Sequence, residues 1–182
     1  MICDSEALIL NTRLYGDTSL ICNLFTKKYG RLSIISKGAR TLKNPNRAIL
    51  QPAQFIDLHY YYKPGRNIQI LKEASINKHF FTIHTNYTKI ILSYNIVDII
   101  NQICRVENPN EIIFRLVKRV LDKIDKCLDS KIELYYIFFQ LQLLKYLGYQ
   151  PIIGQCSKCE ILLREAQYDF TIGQLTCISC TT

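Results

Sequence analysis

An α+β chain is predicted: a small closed barrel of five strands, then an α-helical domain, then a metal-binding module built on four cysteines. Three observations carry that prediction. Residues 7 to 74 break into short runs of period two divided by turn signals, and the apolar period lengthens to three and four residues after residue 80. Near the end, Cys156, Cys159, Cys177 and Cys180 form a C-x2-C-x17-C-x2-C array.

The predicted strands are residues 7 to 13, 19 to 26, 31 to 37, 54 to 62 and 68 to 74, with turns at Tyr15-Gly16-Asp17, Tyr29-Gly30 and Lys63-Pro64-Gly65-Arg66. Five strands within 1 to 80 fit an OB-fold, with a long irregular connection from Gly38 to Pro52 between the third and fourth. An SH3-like barrel is the structural alternative. Residues 81 to 182 are read as the helical domain, with the cysteine module at 153 to 182. In the first helix Tyr87, Ile90, Ile91, Tyr94, Val97 and Ile100 recur at helical steps, ending near Cys104. The second has Asn108 as N-cap, Pro109 at the first helical position and Glu111 in the first turn. The third opens on the capping box Ser130-x-x-Glu133 and closes at Gly148, with Pro151 beyond. Residues 134 to 147 are apolar on nearly every face, which predicts a buried helix at the centre of its domain. That stretch is also too short for a membrane span, and the first ten residues carry no basic run of a secretory signal.

Each C-x-x-C places two sulfurs on a tight turn, and two such turns close a four-sulfur tetrahedron around one Zn²⁺. A site of four thiolates has no open position for water or substrate, so the expected role is structural. The stretches Ile161 to Leu163 and Tyr168 to Thr176 read as a hairpin joining the two turns, with Gly173 at its bend. Cys3, Cys22, Cys104 and Cys127 are widely spaced among apolar neighbours, so a reduced, cytoplasmic protein is expected over a secreted one with four bridges.

With 182 residues, 48% hydrophobic and 21% charged, the chain has an ordinary globular composition, but its net charge of +8 is unevenly placed. Residues 1 to 80 carry 12 Lys and Arg against 5 acids, and the remainder 11 against 10. Lys27, Lys28, Arg31, Lys37, Arg40, Lys43 and Arg47 fall in one stretch with no acid, a pattern that attracts a phosphate backbone. In the third strand Arg31, Ser33 and Lys37 share a face directed away from the core. Arg13 joins this basic set. On the fourth strand His59 and Tyr61 lie opposite Ile56, Leu58, Tyr60 and Tyr62, which makes Tyr61 and His59 the candidates for base stacking.

Signatures of phosphate-binding loops, dinucleotide-binding folds, zinc proteases and serine hydrolases are absent. Asp122, Asp125 and Asp129 share one helical face and could seat a divalent ion for a nuclease. Lys118, Arg119, Lys123 and Lys126 interleave with them, so a solvated, charge-paired surface is expected. His79 and His84 are read as structural or exposed.

Leu8-Ile9-Leu10, Arg13-Leu14-Tyr15-Gly16-Asp17-Thr18-Ser19, Leu24-Phe25-Thr26, Gly30-Arg31-Leu32-Ser33, Lys37-Gly38-Ala39-Arg40 and Leu50-Gln51-Pro52 together resemble the RecO family of bacterial DNA repair proteins. Leu147-Gly148-Tyr149-x-Pro151 followed by Cys156-x-x-Cys159 continues the resemblance. Glu160 stands where the family often has glycine, Gly173 is single where a pair is common, and only two residues follow Cys180 where relatives continue with helical sequence. A trimmed helical domain is therefore expected. The resemblance implies an OB-fold, a helical domain and a zinc module in a bacterial, nucleoid-associated protein. It also implies a non-enzymatic recombination mediator that binds single- and double-stranded DNA and anneals complementary strands. Its implied partners are RecR and the single-stranded-DNA-binding protein, with which it helps load the recombinase. The alternatives are a zinc-stapled RNA-binding module and a protein adaptor without annealing activity.

Overall fold

The structure is a computed structural model and describes residues 1–149 and 153–181. Strands β1 (Ile2–Tyr15), β2 (Ser19–Thr26), β3 (Gly30–Ser36), β4 (Phe55–Tyr61) and β5 (Ile68–Lys78) close a barrel in the order β1-β2-β3-β5-β4. The β3 and β5 pairing is parallel and the others are antiparallel, which is the OB-fold arrangement. β1 is longer than its period-two run because it serves two neighbours. Ile2 to Leu8 pair with β4 and Ala7 to Tyr15 pair with β2, with a register shift between Ile9 and Asn11 that bends the strand.

Alternation places Cys3, Ala7 and Ile9 of β1, Leu20, Cys22 and Leu24 of β2, and Ile56, Leu58 and Tyr60 of β4 inside the barrel. Each large aliphatic side chain fully buried there contributes roughly 1.5–3 kcal/mol. The outer face is also covered on one side. Helix α3 (Glu111–Lys126) sets Phe114 against Phe25 and Phe55 at ring separations of 5.7 and 5.6 Å. Burial on both faces is why Leu8, Ile9 and Leu10 are consecutive and all buried. Lys118 of α3 pairs with Glu6, and Asp122 with Lys78 at 2.7 Å, so ion pairs flank the aromatic contact.

A four-residue helical turn, α1 (Asn46–Ile49), interrupts the connection between β3 and β4. Helix α2 (Tyr87–Ile103) is capped by Asn86, whose side chain accepts from Lys89 N at 3.1 Å. It buries Lys89, Ser93, Ile96, Val97 and Ile100, whereas Tyr87, Ile91 and Tyr94 of the predicted stripe are exposed. Lys89 sets that rotation: its ammonium donates to the carbonyls of Asp125 and Cys127, both at 2.9 Å. Asn110, not Asn108, caps α3, its Oδ1 accepting from Ile113 N at 3.0 Å. Asn108 is held elsewhere. Val106 bridges to Arg31 of β3, and the Asn108 backbone lies directly over Gly30.

Gly30 has φ +70°, and a Cβ there would meet the Asn108 backbone at 2.5 Å. Gly30→Ala is therefore expected to cost about 2–4 kcal/mol, combining left-handed strain with displacement of packed backbone. A urea midpoint unchanged from wild type would overturn that expectation.

Ser130 falls in a 3-10 turn, Asp129–Lys131, ahead of helix α4 (Ile132–Tyr146), so the predicted capping box does not head the helix. The buried central helix is also corrected. Only the stripe of Ile132, Phe139 and Leu143 is buried, while Leu134 and Ile137 are 62% and 51% exposed and Phe138 and Leu144 also face solvent. An apolar composition on every face does not supply neighbours for every face. By packing, the chain divides into two compact units, Met1–Phe139 and Gln140–Thr182. In the second, β6 (Gln167–Asp169) and β7 (Gln174–Thr176) form a hairpin with Gly173 at φ +67°. Leu162 bridges to Gln155 and takes no part in that hairpin. The predicted Pro151 stop lies outside the described residues.

Candidate nucleic-acid interface and metal centre

Strand register divides the predicted basic set between the two ends of the barrel. Lys37 follows Ser36, which pairs with Leu20 beside the turn that joins β1 to β2. Lys27 and Lys28 lie in the turn between Thr26 and Gly30, at the other end of the same strands. Arg13, Lys37, Arg40, Lys43 and Arg47 therefore gather at one end, and Lys27, Lys28, Arg31 and Tyr61 at the other.

The first group sits on a loop that the barrel holds from inside. Ala39 and Leu50 are fully buried in the barrel interior, so the chain between them arches outward. Gly38, at φ +69°, presents its carbonyl to Thr41 Oγ1 at 2.8 Å and Asn44 Nδ2 at 3.1 Å. Arg40 N donates to Thr18 O at 2.8 Å and its guanidinium to Gly16 O at 3.2 Å, tying the loop to the neighbouring turn. Lys37, Lys43, Arg47 and Arg13 are exposed, and Arg40 half-buried. None of the five has an acidic partner within ion-pair distance among the described residues.

At the opposite end the charges are compensated by acids that no local window of sequence contains. Lys28 pairs with Asp4, Lys27 with Glu6 at 3.7 Å and Glu111 at 3.5 Å, and Arg31 donates to the Asn101 carbonyl at 2.8 Å. The hydrogen bond from Lys28 holds the Asp4 carboxyl below its ordinary range, and that from Lys118 does the same for Glu6 despite its partial burial. Tyr61 pairs with Ile2 and is 45% exposed, with His59 exposed beside it on the outer face of β4. Sequence reasoning missed a cavity of about 770 Å³ here, to which Tyr29, Tyr60, Tyr62 and Arg66 contribute. Gly65 and Arg66 of the predicted turn line it, and its other walls come from residues far apart in the sequence.

The three aspartates separate in role. Asp122 is charge-paired as expected, with Lys78 and with Lys126 at 2.9 Å, and Asp129 accepts from Asn86 at 3.1 Å. Asp125 departs from the solvated surface predicted for it. It is 5% exposed, and its carboxylate accepts the backbone N–H groups of Phe81, Thr82 and Ile83 at 3.2, 2.8 and 3.0 Å. Its oxygens are committed to folding the segment that leads into α2. His79 and His84 are exposed.

Among the described residues, the one set of His, Cys, Asp and Glu side chains that converges as metal ligands is Cys156, Cys159, Cys177 and Cys180, with ligand atoms within 4.8 Å of one another. Cys159 Sγ lies 3.7 Å from Cys177 Sγ. A tetrahedron with arms of about 2.3 Å has edges of about 3.8 Å, so the Cys159 and Cys177 sulfurs stand at the spacing of two thiolates on one metal ion. Cys177 N donates to Cys156 Sγ at 3.3 Å, and that bond leads the causes that bring the Cys156 thiol down to about 6. Cys180 is pushed up to about 12, chiefly by its bond with the Cys159 thiol. Four sulfurs this close resist ionising together, and a divalent cation at their centre removes that resistance. None of the eight cysteines is in a disulfide, and among the described residues no helix is long and apolar enough to cross a membrane.

Two family models match the chain: recombination protein O N terminal over residues 1–80, and recombination protein O C terminal over residues 84–182. Among curated relatives, the DNA repair protein RecO of Salinibacter ruber is 32% identical over 154 residues, covering 85% of this chain and 59% of that protein. The DNA repair protein RecO of Chlorobium limicola is 31% identical, covering 86% of this chain and 59% of its own length. That of Rhodopirellula baltica is 26% identical over 178 residues, with coverages of 96% and 65%. The chain thus spans about three fifths of the length of the first two. The barrel and the segment carrying the cysteine cluster each meet their own half of one family description, and on that ground this chain belongs to the RecO family.

Proposed function

We propose that this chain acts in DNA repair and homologous recombination as a mediator. In this reading it binds single- and double-stranded DNA without sequence preference, anneals complementary strands and helps load the recombinase, with RecR and the single-stranded-DNA-binding protein as partners. The observation that carries the reading is the arched loop of Lys37, Arg40, Lys43 and Arg47, held by buried Ala39 and Leu50 and free of acidic partners among the described residues. A rigid loop with four cations neutralises phosphates on two strands and lowers their mutual repulsion, so that complementary bases can pair. No covalent bond is made or broken. Phosphate contacts carry no sequence information, so binding is sequence-tolerant and salt-sensitive. Arg13 extends the surface at the same end. Tyr61 supplies a stacking surface, and Lys27, Lys28 and Arg31 contribute secondary phosphate contacts, their charges being partly committed to acids and carbonyls. One Zn²⁺ on the four cysteines keeps the second unit folded.

The test is annealing of two labelled complementary oligonucleotides over a salt series, beside a Lys37/Arg40/Lys43 triple-alanine variant. The four cations of the loop contribute about −3 to the log-log salt slope for single strands. The variant is expected to anneal about tenfold more slowly and to lose most of that slope. A salt-independent rate, or a variant equal to wild type, sinks this reading in favour of a protein adaptor. Selective binding of structured RNA favours an RNA-binding module.

A further inference from the structure

We propose that the solvent face of α3 is a second nucleic-acid site, which takes the phosphate backbone of a duplex. The inference rests on the DNA-binding reading above and assigns double-stranded DNA to residues outside the barrel. α3 buries one stripe, which includes Phe114, Val117, Val120, Leu121 and Ile124. At about 100° per residue, Arg115, Arg119, Lys123 and Lys126 fall within a sector of about 80° on the opposite side. All four are exposed. At about 1.5 Å per residue the row is about 16 Å long, the span of roughly five phosphates along one strand.

Acids and cations alternate along α3, and the fold sorts them. Asp125 is turned inward onto the backbone N–H groups of residues 81 to 83, and Lys118 is taken by Glu6 of the barrel. The two acids that remain are each shared. Glu111 lies 3.5 Å from Lys27 and 3.8 Å from Arg115, and Asp122 lies 2.7 Å from Lys78 and 2.9 Å from Lys126. Arg119 and Lys123 have no acidic partner within ion-pair distance among the described residues. Arg115 is loosely held, since an ion pair with side chains 65% and 49% exposed contributes little and leaves the guanidinium fork open to a phosphate. Ring content then decides the class of DNA. Phe114, the one aromatic residue of α3, is buried, so the face gives an unstacked base nothing to stack on. A duplex keeps its bases paired and presents one backbone charge per roughly 1.7 Å of axis, twice the density of a single strand. Cations in a row without rings therefore match a duplex backbone.

The test compares binding of a short labelled duplex with that of one of its own strands, over a salt series, in wild type and an Arg119→Ala/Lys123→Ala double variant. The double variant is expected to raise the duplex Kd about tenfold and to take about 2 off its log-log salt slope, with the single-strand Kd held within about twofold. Both side chains are exposed and without acidic partners among the described residues, so thermal unfolding is expected to match wild type. Arg119→Lys with Lys123→Arg keeps the charges and is expected to bind duplex as wild type does. The Lys37/Arg40/Lys43 variant, with α3 intact, is expected to lose more single-strand than duplex affinity. The site is overturned, and the DNA-binding reading left standing, if the double variant binds duplex as wild type does or weakens both forms equally. Labelled hexaglutamate that binds wild type more tightly than the duplex does, and fails to bind the double variant, also overturns it in favour of an acidic peptide. Wild type that binds neither form of DNA removes the site and the DNA-binding reading together.

Discussion

Asp125→Ala is expected to destabilise the first unit by about 3–5 kcal/mol, a large share of the roughly 5–15 kcal/mol margin of an ordinary domain. The wild-type carboxylate satisfies three successive backbone N–H groups, those of Phe81, Thr82 and Ile83, where the chain leaves the barrel and turns toward α2. Each such donor left buried without a partner costs about 1–3 kcal/mol, and the three share one acceptor group, so their costs are not simply additive. The loss spreads to Lys89. Lys89 is 4% exposed, and its ammonium bonds Thr82 Oγ1 at 2.8 Å as well as two carbonyls at the end of α3. Asp125→Asn keeps an acceptor oxygen and is expected to cost about half as much. Burial pushes the Asp125 carboxyl up, but the N–H groups of Thr82, Phe81 and Ile83 outweigh it and hold the net value below the ordinary range. The unfolded value is about 3.9. The contribution is therefore full above that pH and is lost as pH falls through the lower folded value. Urea unfolding at pH 7 and at about pH 3 measures both effects; an alanine variant with wild-type stability at pH 7 would contradict the role assigned to this carboxylate.

Stripping the metal, or Cys156→Ser, is expected to abolish the order of the cysteine module while leaving the melting of the first unit in place. Between residues 153 and 181 the buried side chains are Cys156 and Thr176, while Phe170, Leu162 and Ile161 are 89%, 75% and 63% exposed. Such a segment has almost no apolar core, and two three-residue strands do not hold a hairpin alone. A structural four-thiolate zinc contributes roughly 10–16 kcal/mol of apparent binding energy, far more than the few contacts it organises. Hydrogen exchange at the amides of Tyr168 to Thr176 reads this directly. Protection should vanish on chelation and return with Zn²⁺, at one ion per chain by metal analysis. Protection that survives chelation would mean that the hairpin stands without the ion.

The contrast between these two sites shows what kinds of structure a sequence reveals. Both C-x-x-C turns were legible because a thiolate pair is a local pattern, and two pairs at this spacing leave few other uses for the sulfurs. The strands were legible for a similar reason. Residues 19 to 26 form β2 as their alternation predicts, because burial on one face imposes a period of two. Asp125 was misread because acids interleaved with lysines and an arginine on a helix look like surface; its partners are the N–H groups of residues more than forty positions away. Asn108 was misread as a cap because the demand for bare backbone over Gly30 is invisible until β3 and the segment before α3 are brought together.

The basic stretch shows the same division most clearly. By itself the sequence determined the five-stranded barrel, the helices after it, the four cysteines that cluster and a positive N-terminal half, since each follows from a period, a spacing or a count. Only the tertiary structure decided which charges are free. It placed Asp4, Glu6 and Glu111 beside Lys28 and Lys27, and left Lys37, Lys43 and Arg47 without acidic partners at the other end of the barrel among the described residues. A charge's partner is set by distance in space, and in a closed barrel two residues on either side of one strand point their charges to opposite ends.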